Sequence, residues 1–190
     1  METSAGYVIW QRDRGHGLEG HVGVAQELNI NVSDADRLTL SLDVWIFDHS
    51  QTSIGHAGTR RGSGPGESPV HLTVHYHDAD LNLHRWDYCF LLDGRSFKQD
   101  PKTGRTVYYT GFFKNVAPVP KAEWTRFSFD LMDDAVRTDP RGNQVLPPPV
   151  KLLRLTVYGS GWNFKAAAGN VCVRKEAGER DLRLSAQRIR

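Results

Sequence analysis

Three histidines, His71, His75 and His77, fall on alternate positions of the run VHLTVHYH that begins at Val70. In an extended strand such residues share one face, and neighbours two apart stand about 7 Å from each other at the backbone. His75 and His77 could therefore share a metal, with Asp78 or Asp80 adding an oxygen ligand. That is the ligand chemistry of a metal-dependent hydrolase. Two imidazoles do not complete a site, and no third ligand stands at a fixed spacing from them. Asp78, Asp80 and Asn82 also alternate oxygen-bearing side chains, as a loop that holds a structural calcium does. The Gly and Glu of an EF-hand loop do not follow, and a hairpin turn closed by Asx hydrogen bonds explains the same residues.

A second set of residues suits binding rather than bond breaking. The apolar face of a sugar packs on a flat ring while nearby polar groups take its hydroxyls. Trp45, Trp86, Tyr108, Tyr109, Trp124 and Trp162 are the candidate rings, and at least half of them are needed for a core. Arg60 and Arg61 could clamp an acidic ligand. No G-x-S-x-G elbow supports a serine nucleophile, because Gly159-Ser160-Gly161 lacks that spacing. The glycine-rich Gly62 to Gly66 is followed by neither Lys-Ser/Thr nor a helix pattern, so it is no phosphate loop. No constellation specifies an enzyme.

The elements that must carry these residues read as strands. Leu38, Leu40, Leu42, Val44 and Ile46 recur at every second position, which turns Trp45 and Phe47 to the opposite face. Val70, Leu72, Val74 and Tyr76 repeat the pattern and leave the three histidines on the other side. A polar turn at Asp78 to Asn82 then returns the chain through Trp86, Tyr88 and Phe90 as a hairpin. Further strands are predicted around Tyr7–Trp10, Val22–Val32, Val107–Phe113, Trp124–Leu131, Leu153–Trp162 and Val171–Val173, giving eight or nine in all and no helix. Between Asp48 and Pro69 five glycines and no periodicity mark a long loop. The expected fold is an all-β, two-sheet antiparallel sandwich.

The 190 residues fit one such domain, expected over residues 1–173, with a basic tail over 174–190 that holds six Arg or Lys against three acids. The net charge of +2 is otherwise spread evenly, and no basic block is interleaved with aromatics, so nucleic acid is not an expected partner. No apolar stretch approaches the ~20 residues of a membrane span, and METSAGYVIW has neither the basic nor the apolar region of a signal peptide. Cys89 and Cys172 permit one disulfide, if their separation in space allows it.

HVGVAQELNINVSDADRLTLSLDVWI (His21 to Ile46), SPVHLTVHYHDADLN (Ser68 to Asn82) and LLRLTVYGSGWNFKAAAGNVCV (Leu152 to Val173) resemble a galactose-binding-like jelly-roll module of bacterial surface and envelope proteins. The resemblance departs where that module has an aromatic Gly-Phe-Tyr strand, for here Cys89, Phe90, Leu91 and Leu92 stand. It implies an extracellular or cell-envelope setting, a glycan or surface protein as partner, and no cofactor beyond a structural calcium. The leading expectation is a non-catalytic carbohydrate- or surface-binding module using Trp45, Arg60, Arg61, His71, His75, His77 and Asp78. The alternatives are a self-assembling structural subunit or interaction domain of an extracellular assembly, and the metal-dependent hydrolase.

Overall fold

The computed structural model describes residues 7–12, 20–49, 68–92, 97–99, 106–108, 115–139, 143–161 and 164–177. Eleven strands and no helix occur among them: β1 (Val8–Arg12), β2 (Gly20–Asn31), β3 (Arg37–His49), β4 (Ser68–His77), β5 (Leu83–Leu92), β6 (Phe97–Gln99), β7 (Thr106–Tyr108), β8 (Val116–Val119), β9 (Thr125–Asp130), β10 (Lys151–Gly161) and β11 (Phe164–Glu176). Sheet A has the order β1-β11-β3-β9, and sheet B the order β2-β10-β4-β5-β8. β6 and β7 form a separate two-stranded pair.

The alternation that marks the strands also builds the core. Leu38, Leu40, Leu42, Val44 and Ile46 of β3 meet Val70, Leu72, Val74 and Tyr76 of β4 in one cluster, all fully or almost fully buried. Two sheets joined through such interdigitated inner faces make a β-sandwich. Rings fill part of this core, where Trp86 packs edge-on against Phe129 at 5.3 Å and Phe90 lies 4.6 Å from Phe127. Three buried rings place their polar tips on carbonyls: Trp10 Nε1 donates to Pro69 O, Trp86 Nε1 to Val136 O, and Tyr76 OH to Pro147 O. The proline- and aspartate-rich segment after β9 is tied down by buried Arg137, which donates to the carbonyls of Leu131 and Leu146 and pairs with Asp134.

Three features depart from the expected sandwich. β5 and β8 run parallel, so the sheets are not wholly antiparallel. β6 and β8, which no expected strand covers, raise the strand number above nine, whereas β7 falls at the start of the expected strand Val107–Phe113. β11 continues to Glu176, with Arg174 opposite Thr39 and Lys175 opposite Leu38, so the basic segment begins inside the last strand. Cys89 lies in sheet B and Cys172 in sheet A, and both are free thiols.

Candidate functional site

β3 sends its even-numbered residues into the core and therefore presents Asp43, Trp45 and Phe47 on the outer face of sheet A. Neighbouring strands bring more rings to the same place. Trp124 stands just before β9, with its ring centroid 6.3 Å from that of Trp45. Tyr7, just before β1, lies 4.7 Å from Trp124, and Phe47 lies 5.7 Å from Trp45. Four aromatic side chains thus form one strip, with Tyr7 57%, Trp124 49% and Phe47 44% exposed and Trp45 half-buried between them. Small residues of β11 make room beneath: Ala167 pairs with Trp45, and Gly169 lies under Tyr7. A Cβ at Gly169 would come within 2.1 Å of the Tyr7 ring.

Polar groups border the strip at both ends. Asn170 occupies a left-handed conformation (φ 47°) in an irregular stretch of β11. Its Nδ2 donates to Tyr7 OH at 2.9 Å and to Asp43 Oδ2 at 2.6 Å. Arg126 donates to Asp43 Oδ1 at 3.1 Å and to Ser41 Oγ at 3.0 Å. At the other end the ammonium groups of Lys121 and Lys165 approach the Phe47 ring to 5.7 and 5.2 Å, in cation–π geometry. An exposed run of rings edged by hydroxyl, amide and charged groups suits a ligand with one apolar face and many hydroxyls.

The histidines lie on the opposite side of the molecule, on the outer face of sheet B. Strand register arranges that face in three rows. Gly23, Tyr158, His71 and Cys89 form the first, Ala25, Thr156, Thr73 and Asp87 the second, and Glu27, Arg154, His75 and Arg85 the third. The small side chains of the middle row make the floor of a trench of about 500 Å³. His77 stands one row further on, beside Leu83 and Lys151.

Asp87 is the buried centre of this face. It accepts from Thr73 Oγ1 at 2.6 Å and from Arg85 Nε at 2.8 to 2.9 Å, with His71 Nε2 3.5 Å away. Burial alone would raise its pKa, but contacts from His71, Thr73 and Arg85 outweigh burial and hold it below the ordinary carboxylate value. The Cys89 thiol sits 3.6 Å from His71 Nε2, which gives a Cys–His–Asp sequence of contacts. It does not make an activated nucleophile: burial pushes the thiol pKa far up, and Sγ stands almost equally far from the two His71 ring nitrogens, 3.6 Å from Nε2 and 3.7 Å from Nδ1, so neither is aimed at it. Tyr158 stacks on His71 with centroids 4.7 Å apart, and burial raises its phenol to about 12.

The residues proposed from sequence as one site therefore divide between two faces. Trp45 joins the aromatic strip, while His71 is fully buried and His75 lines the trench. Asp78 closes a turn, accepting from Asp80 N, Asn82 N, Asn82 Nδ2 and His84 Nε2. Asp80 is exposed, and no group of three metal-ligating side chains gathers among the described residues. Arg60, Arg61, Tyr109 and Trp162 lie outside the described residues, as does the side chain of Tyr108, and Trp86 belongs to the core. Tyr7, Asn170 and the two lysines carried no signal in the sequence, because only the pairing of distant strands brings them to Trp45. No protein-family model, curated protein or solved structure matches the chain.

Proposed function

We propose that this protein is a non-catalytic carbohydrate-binding module that takes a glycan on the outer face of sheet A. The observation that carries the reading is the strip Tyr7–Trp124–Trp45–Phe47, apolar and largely open to solvent. A contiguous exposed patch of rings marks an interaction surface, as rings scattered singly do not. The network of Asn170, Asp43 and Arg126 supplies donors and acceptors for sugar hydroxyls beside the rings. The sandwich of a four- and a five-stranded sheet is compatible with a jelly roll, and an extracellular or envelope setting is proposed for it. A glycan array probed with the wild-type protein and with Trp45→Ala tests the reading. Binding by the wild type and its loss in the variant are expected; an array without signal contradicts it.

A second reading, a subunit of an extracellular assembly, draws on β2. This strand forms one edge of sheet B for twelve residues and exposes Val22, Val24 and Ile30. An open edge of this length is a template for pairing with another chain. Light scattering over a range of concentrations separates the two readings, because assembly requires mass to rise with concentration.

A further inference from the structure

The trench on the outer face of sheet B lies on the far side of the sandwich from the aromatic strip, and its chemistry differs. Its acceptor is spent, since both Asp87 oxygens receive Arg85 Nε and one of them also receives Thr73 Oγ1. Its donors are not. The Arg85 side chain is 48% exposed and commits Nε to Asp87 and one Nη2 hydrogen to Tyr158 OH, at 3.5 Å, leaving the Nη1 hydrogens uncommitted among the described residues. His75 Nδ1 is buried with no hydrogen-bond partner among the described residues. A buried N–H without an acceptor costs more than an unmet lone pair, so the ring proton belongs on Nε2, which becomes a donor. Thr156 adds a hydroxyl at the floor.

A concave site lined by a guanidinium, an imidazole and hydroxyls, with no carboxylate among its lining residues, favours a ligand made of acceptors. We propose that the trench binds a small organic carboxylate, with its oxygens toward Arg85, His75 and Thr156 and its body along Tyr158 and Ala25. A volume of about 500 Å³ is in the range of small-molecule sites. Arg85 is balanced by Asp87, and Arg154 on the same wall by Glu27 at 3.2 Å, so recognition comes from directed hydrogen bonds more than from net charge. The site is independent of the glycan reading.

Titration of benzoate into isotope-labelled protein, followed by nuclear magnetic resonance, tests the proposal. Saturable shifts centred on Thr73, His75, Arg85 and Thr156 are expected, and benzyl alcohol, the neutral analogue, should leave them unmoved. Arg85→Gln should weaken benzoate at least tenfold. Ala25→Glu, at an exposed position of an edge strand, should do the same by placing a carboxylate over the floor, and it serves if Arg85→Gln fails to fold. Benzoate shifts elsewhere or nowhere, equal shifts with benzyl alcohol, or unchanged affinity in Ala25→Glu would overturn the proposal.

Discussion

Asp78 shows how the same side chain can look like a cation ligand in sequence and serve a turn in the fold. Its carboxylate takes four donors from Asp80, Asn82 and His84. The His84 contact does most to hold its pKa down, from 3.8 to about 2, with Asn82 and Asp80 adding to it. A carboxylate whose folded pKa is depressed contributes stability that is complete above its unfolded value and lost as pH falls through the folded one. Asp78→Asn should therefore lower the melting temperature near neutral pH. The gap from wild type should close between about pH 4 and about pH 2. Calorimetry over that range checks it, and a gap that does not change with pH would count against the turn as its source.

Cys89 makes a second point at this scale. Its contacts with His71 and Asp87 resemble those of an activated thiol, yet burial decides its chemistry. Iodoacetamide should leave Cys89 unmodified in the native protein and alkylate it in denaturant, as read by peptide mass spectrometry. Modification of the native protein would restore a nucleophilic reading.

Among the elements, β3, β4 and β5 were legible because period-two alternation states both strand and face. The polar turn from Asp78 to Asn82 even fixes which residues pair across the hairpin, so that His71 meets Cys89, Thr73 meets Asp87 and His75 meets Arg85. The trench could not be read, because its other half comes from β10 and β2, and nothing local records that those strands adjoin β4. β8 escaped notice for another reason: four residues including Pro118, paired in parallel, look like a loop. Gly23 illustrates what adjacency demands. A Cβ there would stand 2.3 Å from the carbonyl oxygen of Val157, in backbone that has no rotamer with which to yield. Gly23→Ala should force β2 away from β10 and cost about 1–3 kcal/mol. Urea denaturation measures this, and an unchanged midpoint would mean that the strands are not so closely joined.

For the whole molecule, the two outer faces of the sandwich are unlike: that of sheet A carries an exposed aromatic strip, and that of sheet B a trench with Arg85 and His75 beside buried His71, Thr73 and Asp87. The sequence disclosed that Trp45 and Phe47 point away from the core. It could not disclose that Tyr7 and Trp124, well separated from β3 in the chain, complete a strip with them, because that follows from the strand order of sheet A. The most direct measurement is retention of the protein on cellulose, chitin, xylan and pectin, with wild type beside Trp45→Ala/Trp124→Ala and His75→Ala. Wild type and His75→Ala should be retained on at least one polysaccharide. Loss of both central rings should cost about 2 kcal/mol or more, roughly a thirtyfold drop in affinity. Equal retention of the double tryptophan variant, or no retention of the wild type on any of the four, would contradict the glycan-binding account.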